Sequence, residues 1–224
     1  IDGSSPIVCI GDNTFPIAVE ELYSEENEPI NFDIPIVAAA KHNLGRVVCF
    51  GNSLFLAPKV LQIDNTEELF QNCLRWVSAT KTSPQAKGKA LLLGFQQKEN
   101  EYISTFLRRR KVQITTSDTY LDNVTDFQYV FLSLGFYFSA EEQEDSLLEY
   151  VSNGGSLLVF AAYDKELINF ELNSFLIEIG LAYPRTNFVV GCDVPRIFLS
   201  HTFADVNLAR FSFVRDNYIS ILKM

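Results

Sequence analysis

From Lys89 onward, short apolar runs alternate with stretches in which apolar residues recur at helical spacing. Residues 90–93 and 156–160 are apolar at nearly every position, which is typical of strands buried on both faces of a sheet. Further strands are predicted at 112–115 and 129–134, and the stretches between strands are long enough for helical crossovers. The pattern therefore predicts an α/β fold with a doubly wound, mostly parallel sheet.

Several helix ends can be predicted from the same half of the chain. Ser139 and Glu142 have the spacing of a capping box ahead of an apolar helical face. Asn153, Gly154 and Gly155 are expected to end that helix, because glycine favours the left-handed backbone that follows a helix. Gly180 is expected to end the next helix in the same way.

The first 80 residues are rich in β-like runs. Strands are predicted at 7–10, 15–19, 34–40 and 46–50, and the acidic stretch 20–33 is expected to be an exposed loop. A helix is predicted to begin at Asn65, with Glu68 completing a capping box, and to bury residues at helical spacing. These residues are Leu69, Phe70, Cys73, Leu74, Trp76 and Val77.

The chain is predicted to form one integrated domain with four parts. A β-rich N-terminal part at 1–80 ends in the helix, and a linker rich in Ser, Thr, Lys and Pro follows at 81–88. The α/β core spans 89–200. Residues 201–224 form a β-like tail or the start of a following segment.

The charge balance argues against nucleic acid as a partner. Eighteen basic and twenty-eight acidic side chains give a net charge of −10, which repels phosphate backbones and anionic lipid surfaces. The basic run 108–111 falls at a predicted helix end, where positive charge is favoured by the helix dipole. We therefore expect no nucleic-acid partner.

The cysteines indicate a reducing compartment. Cys9, Cys49, Cys73 and Cys192 lie far apart, mostly inside apolar runs, and are expected to be buried thiols. No apolar run reaches the ~18 residues of a spanning helix, so we predict a cytoplasmic protein without a transmembrane segment. Because the chain opens on Ile1, we expect it to be a fragment of a longer protein.

The sequence offers no recognisable catalytic, metal or cofactor site. His42 and His201 stand alone, and the HExxH, GxGxxG and GxxxxGK[ST] patterns are absent. The bend after strand 156–160 reads Ala161-Ala162-Tyr163-Asp164, which supplies no nucleophile for an elbow. We therefore predict that the chain is not an enzyme. An open alternative is a cryptic hydrolase that assembles Ser133 or Cys192 with His201.

Consecutive aromatic residues follow one of the predicted parallel strands. Phe136, Tyr137 and Phe138 come after strand 129–134, at the edge where α/β folds bind their ligands. Together with Tyr163, they are the candidate partner-binding residues. The alternative is that these aromatic side chains are simply buried in the core.

Several motifs resemble a known family in sequence order. They are Ser5-Pro6-Ile7-Val8-Cys9-Ile10-Gly11-Asp12 with Phe15-Pro16-Ile17, Ile36-Val37-Ala38-Ala39-Ala40, Leu44-Gly45-Arg46-Val47-Val48, Asn72-Cys73-Leu74-Arg75-Trp76, and Leu147-Leu148-Glu149-Tyr150-Val151 before Gly154-Gly155-Ser156. The chain resembles the N-terminal region of the TRP-channel-associated factors and the related enhancin-like metallopeptidases. The resemblance implies a flavodoxin-like fold of the class I glutamine-amidotransferase type.

The resemblance also implies two functional settings. The channel-associated members are intracellular partners of a TRP melastatin cation channel and influence its delivery to the plasma membrane and its gating. In the peptidases, catalysis belongs to a downstream domain with HExxH, which no position here matches. We therefore expect a non-catalytic protein-interaction and regulatory domain, recruited to the plasma membrane through a channel. The alternative is an accessory domain of a secreted or surface metallopeptidase that recognises glycoprotein.

Overall fold

The computed structural model describes residues 4–10, 14–17, 34–51, 53–62, 66–78, 86–161, 172–181, 187–190 and 196–197. Its centre is an eight-stranded sheet, and a separate pair of strands lies outside it. The ten strands are β1 Ser4–Ile10, β2 Thr14–Ile17, β3 Ile34–His42, β4 Gly45–Phe50, β5 Lys89–Leu93, β6 Gln113–Ser117, β7 Tyr129–Ser133, β8 Ser156–Phe160, β9 Asn187–Val190 and β10 Arg196–Ile197.

Five neighbouring strands of the large sheet are parallel. They lie in the order β4, β8, β7, β5 and β6, with registers such as Val48↔Leu158 and Leu91↔Val130. Numbered 1 to 4 along the chain, strands β5, β6, β7 and β8 have the spatial order 2-1-3-4 of a flavodoxin-like sheet. β6 is therefore outermost, and β4 lies beside β8. The prediction of a doubly wound, mostly parallel sheet is confirmed.

The N-terminal strands extend this sheet on the side of β4. The β3–β4 hairpin is closed by Asn43, whose φ of 51° lies in the left-handed region, and by the exposed Leu44. β1 pairs antiparallel with β3, and β10 pairs with β1. β2 and β9 pair antiparallel with each other. The β-rich part and the α/β part therefore share one continuous sheet.

Helices cover both faces of the sheet. On one face, the single-turn helix α1 (Pro58–Leu61) leads to α2 (Thr66–Val77) and α3 (Gln97–Arg108), whose apolar sides bury Trp76 and Phe106. On the other face, α4 (Glu141–Ser152) and α5 (Leu172–Ile179) bury Leu147 and Phe175. All the apolar residues predicted for α2 are buried, so that prediction is confirmed. Asn65 lies outside the described residues.

The helix ends agree with the sequence in two places and differ in one. Gly154 and Gly180, with φ of 103° and 90°, follow α4 and α5 in Schellman motifs, as predicted. The predicted capping box of Ser139 and Glu142 is wrong. Helix α4 begins one residue later than that box requires, with Ala140 as the N-cap. Gln143 therefore occupies the third helical position, and its Oε1 accepts the Ser139 N–H at 3.0 Å.

The basic run 108–111 closes α3 and joins it to α2. Arg110 Nη2 lies 2.7 Å from Glu67 Oε1, and the Arg110 guanidinium lies 3.5 Å from the centre of the Phe106 ring. The hydrogen bond from Arg110 lowers the pKa of Glu67. Lys111, at a φ of 59°, occupies the left-handed position of a third Schellman motif. The run therefore has a structural role at this helix end.

The predicted linker 81–88 is described only at its end. Gly88 accepts the Gln113 N–H at 2.7 Å and donates its own N–H to Gln128 Oε1 at 2.7 Å. Ala86 is buried. Residues 86–88 are therefore fixed to the start of the parallel sheet, and 81–85 lie outside the described residues, as does the predicted tail 201–224.

Candidate functional site

The carboxyl ends of the parallel strands form the edge where this fold class binds ligands. The connection from β5 runs through α3 on one face, whereas the connection from β7 runs through α4 on the other face. The loops that follow β5 and β7 therefore diverge and leave a switch point between them. Residues 94–96 and 134–138 form these two loops.

The switch point is filled by a side chain of the protein itself. Phe136 is only 2 % exposed and packs directly on Gly94. A Cβ placed on Gly94 would lie 2.7 Å from the Phe136 Cβ, and Gly94 has a φ of 72°. The position where a doubly wound fold usually holds a ligand is thus occupied by the Phe136 ring and its backbone.

The three consecutive aromatic residues have different environments. Phe136 is buried, and the ring of Phe138 packs edge-on against it with centroids 5.1 Å apart. Phe138 is half-buried and also contacts Tyr120, at 5.8 Å between centroids. Tyr137, between the two, is 62 % exposed. Tyr163, the fourth candidate partner-binding residue, lies outside the described residues.

Hydrogen bonds hold the loop that carries these aromatic residues. Leu134 donates its N–H to Phe160 O at 2.8 Å, which ties the loop to the end of β8. Phe136 donates its N–H to Ser133 O at 3.0 Å, and Gly135 donates its N–H to Ser133 Oγ at 3.1 Å. The loop that presents Tyr137 is therefore tied to the ends of β7 and β8.

The residues considered for nucleophilic catalysis are buried or lie outside the described ranges. Ser133 is 1 % exposed, and its hydroxyl accepts the bond from Gly135. His42 is half-buried in the antiparallel strand β3. Cys192 and His201 lie outside the described residues, so the assembly of Ser133 or Cys192 with His201 stays a hypothesis. Of the bend 161–164, only Ala161 is described.

Two cysteine side chains, Cys49 and Cys73, are described as buried thiols. Cys49 and Cys73 carry no disulfide and are buried on opposite faces of the sheet. Burial raises the pKa of Cys73 to about 12, which leaves very little thiolate at neutral pH. Within the described ranges, no group of three or more His, Cys, Asp or Glu side chains is arranged to hold a metal ion.

A buried carboxylate at the same edge was not anticipated from the sequence. Glu99 is 7 % exposed, and its Oε1 accepts a hydrogen bond from the hydroxyl of the buried Ser53. Its Oε2 accepts the Gln96 N–H at 2.9 Å, which completes a capping box at the start of α3. Both carboxylate oxygens thus have structural partners. The signal in the sequence was the three-residue spacing from Gln96 to Glu99.

Two open grooves lie next to this edge. The first, of about 300 Å³, lies beside the aromatic loop and is lined by Phe138, Glu141, Glu144 and Leu172 among others. The second, of about 420 Å³, runs between α3 and β6 and includes Asn100, Arg108, Thr116 and Asp118. The first groove is acidic, whereas the second carries charges of both signs.

Among the helices that the structure describes, none combines the length and the apolar character that a bilayer crossing requires.

Comparison with known proteins gives few similarities. No protein-family model and no curated protein matches the chain. Two similar solved structures are those of IMPa from Pseudomonas aeruginosa in complex with an O-glycopeptide and of the IMPa metallopeptidase in complex with T-antigen. Each is 14 % identical with a TM-score of 0.46 and is matched over 80 % and 78 % of this chain, respectively. The chain spans about a fifth of their length, 20 % and 19 %.

Proposed function

We propose that this chain is a non-catalytic protein-interaction domain that binds its partner through the aromatic loop 136–138. The observation that carries the proposal is the contrast between Tyr137, which is 62 % exposed, and its two anchored neighbours. Phe136 is buried and Phe138 packs against it, so the Tyr137 backbone has little freedom left to lose when a partner binds.

An exposed aromatic side chain on a fixed backbone has the properties of a binding hot spot. Tyrosine offers a large apolar ring with a polar end, and it loses only two side-chain rotations on burial. Interface hot spots are enriched in Tyr for this reason. The hydrogen bonds from Leu134 to Phe160 and from Phe136 to Ser133 hold the loop in place before any partner arrives.

The filling of the switch point supports a role without catalysis. Substrates of doubly wound enzymes enter a crevice at this point, and here Phe136 takes up the space beside Gly94. The nearby Ser133 hydroxyl is buried and already accepts a hydrogen bond. What this edge offers to other molecules is therefore the projecting Tyr137 side chain.

The acidic groove beside the loop indicates the chemistry of the partner. Glu141 is exposed and Glu144 is half-buried in the groove that Phe138 lines. Combined with a net charge of −10, this favours a partner with basic side chains around an apolar pocket for Tyr137. Binding should be slowed by salt, because the charges act mainly on the association rate.

The proposal is tested by partner capture with matched variants. Tyr137→Ala removes the proposed anchor. Leu44→Ala removes an apolar side chain that is 71 % exposed at the β3–β4 turn, which lies at the edge of the sheet opposite the aromatic loop. We expect Tyr137→Ala to lose the partner that wild type and Leu44→Ala both retain. A partner that binds all three equally, or turnover of glutamine or a peptide by the purified chain, would contradict the proposal.

The family resemblance gives two forms of the same proposal. In the first form this chain is cytoplasmic and its partner is a TRP melastatin channel. Co-purification of the chain with the channel should then depend on Tyr137. In the second form the chain is an accessory domain of a secreted or surface metallopeptidase that recognises glycoprotein. The motif 147–151 with Gly154-Gly155-Ser156, which forms the end of α4 and the start of β8, is common to both. An HExxH motif downstream in the full-length protein would favour the second form.

A further inference from the structure

Strand β6 ends the parallel half of the sheet, and its outer edge has no strand partner within the part of the chain that the structure describes. Gln113 donates its N–H to Gly88 O at 2.7 Å, and Ser117 O accepts the Gly94 N–H at 3.2 Å. Because backbone direction alternates along a strand, Gln113, Thr115 and Ser117 face β5, whereas Ile114 and Thr116 direct their N–H and C=O groups outward. No other strand among the described residues pairs with this edge.

The edge lacks the features that usually prevent pairing between sheets. Natural edge strands are commonly blocked by a proline, a charged side chain or a bulge. Strand β6 reads Gln-Ile-Thr-Thr-Ser, which has no proline and no charge, and its register with β5 runs without a bulge. Thr115 and Thr116 are exposed, and β-branched residues favour the strand conformation.

Opposite charges stand at the two ends of this edge. Arg108, the last residue of α3, is exposed near the amino end of β6, and Asp118 is exposed directly after the carboxyl end. Both line the groove of about 420 Å³ between α3 and β6, so they lie on the same face of the sheet. A strand of this length separates them by roughly 16 Å.

We propose that two copies of this chain associate by antiparallel pairing of their β6 strands about a twofold axis at Thr115. In that register Ile114 lies opposite Thr116 of the second copy, and each outward N–H donates to the outward C=O of the facing residue. The same register brings Arg108 of each copy next to Asp118 of the other, at both ends of the paired strands.

The arrangement of charge favours a second copy over an unrelated strand. An edge that is basic at one end and acidic at the other is complementary to itself when reversed, and a twofold contact closes after two copies. The net charge of −10 opposes association at long range, but at physiological ionic strength the screening length is about 8 Å. Contacts at ion-pair distance survive that screening. The pairing leaves the aromatic loop free, because β5 separates β6 from β7.

Sedimentation of the 224-residue chain over a wide concentration range tests the pairing directly. Wild type should double its mass as the concentration rises. Thr116→Pro should remain monomeric, because proline has no N–H to donate to the second copy, and the bonds to β5 do not use that group. A wild-type chain that stays monomeric throughout the series overturns the proposal.

A charge-reversal pair tests the register and does not depend on the proline variant. Arg108→Asp and Asp118→Arg should each fail to dimerise alone, because each places like charges opposite one another at both ends. An equimolar mixture should restore the dimer, since every facing pair is then of opposite sign. Glu149→Lys, on the exposed side of α4 over the other face, is the control and should dimerise as wild type does. Single variants that dimerise normally, or a mixture that stays monomeric, overturn the proposal.

Discussion

Gly94 and Phe136 are fitted to each other across the switch point of the sheet. The position at which a Gly94 Cβ would stand is 2.7 Å from the Phe136 Cβ and 2.9 Å from its Cα, closer than carbon atoms can approach. Only a residue without a side chain allows the loop after β7 to close over the end of β5. The same contact buries Phe136 and turns Tyr137 outward.

Replacing Gly94 should therefore be strongly destabilising. Gly94→Ala adds a methyl group that collides with the Phe136 backbone, in a conformation with a φ of 72° that alanine disfavours. We expect a loss of about 2–5 kcal/mol in the free energy of unfolding, measured by urea titration, from backbone strain plus overpacking.

Gly88→Ala provides the matched control for this prediction. Gly88 has nearly the same φ, 74°, but a Cβ there would meet no atom within 4 Å. The free energy of unfolding of this variant should fall only by the cost of the backbone strain, about 1 kcal/mol. Equal losses for the two variants would mean that the contact with Phe136 contributes nothing.

Truncation of the neighbouring residues Phe136 and Tyr137 should change stability by very different amounts. Phe136→Ala removes a buried ring and should cost about 3–5 kcal/mol of stability, because the core around it relaxes only partly. Tyr137→Ala removes a ring that is 62 % exposed and should change stability by less than about 0.5 kcal/mol. Thermal or urea unfolding measures both, and a large loss for Tyr137→Ala would contradict its assignment as a surface anchor.

The strands were predictable because their signal is local. Strand Ser156–Phe160 is apolar from its second residue onward and is preceded by Gly154 and Gly155, and its predicted and observed bounds agree. The start of α4 was not predictable in this way. Ser139 is the better capping residue by intrinsic preference, but the chain uses Ala140 and lets Gln143 bond back to Ser139. The capping box of α3 was missed because glutamine is an uncommon N-cap.

The place of the aromatic loop in the fold could be predicted from the sequence, but the directions of its three rings could not. Because residues 136–138 follow a parallel strand, they were expected at the carboxyl edge of the sheet, where the structure has them. Which of the three rings turns inward is decided by the contact with Gly94, a residue that belongs to a different loop. No local pattern encodes that contact, since it forms only when β5 and β7 lie side by side.

The end of α3 offers a stabilising substitution. Lys111 occupies the left-handed position of the Schellman motif that ends α3, whereas glycines, Gly154 and Gly180, occupy that position at the ends of α4 and α5. Lys111→Gly should raise the free energy of unfolding by about 0.5 kcal/mol, because relief of backbone strain exceeds the entropy that glycine adds to the unfolded chain. Arg109→Gly removes the same charge at a φ of −59° and should instead destabilise by about 0.5–1 kcal/mol. Stabilisation by both variants would point to charge and not to backbone conformation.

Alkaline pH should destabilise the fold through Cys73. Burial raises the pKa of this thiol from 9.0 to about 12, so the folded state holds its proton more tightly than the unfolded state does. The stabilisation is complete below about pH 9 and is lost as pH rises toward about 12, because only the unfolded chain releases the proton in that window. Burial also raises the pKa of Tyr120, Tyr129 and Tyr150 above 10.0, so these tyrosines add to the loss of stability from about pH 9 upward. The contribution of the thiol is therefore the difference between wild type and Cys73→Ala in the slope of unfolding free energy against pH. Measured by urea unfolding between about pH 9 and about pH 10, this difference should approach about 1.4 kcal/mol per unit toward pH 10. Cys73→Ala should be less stable throughout because of the cavity but should show a flatter slope in this interval. Equal slopes for wild type and variant would mean that Cys73 has the same pKa in the folded and unfolded states, which would contradict this prediction.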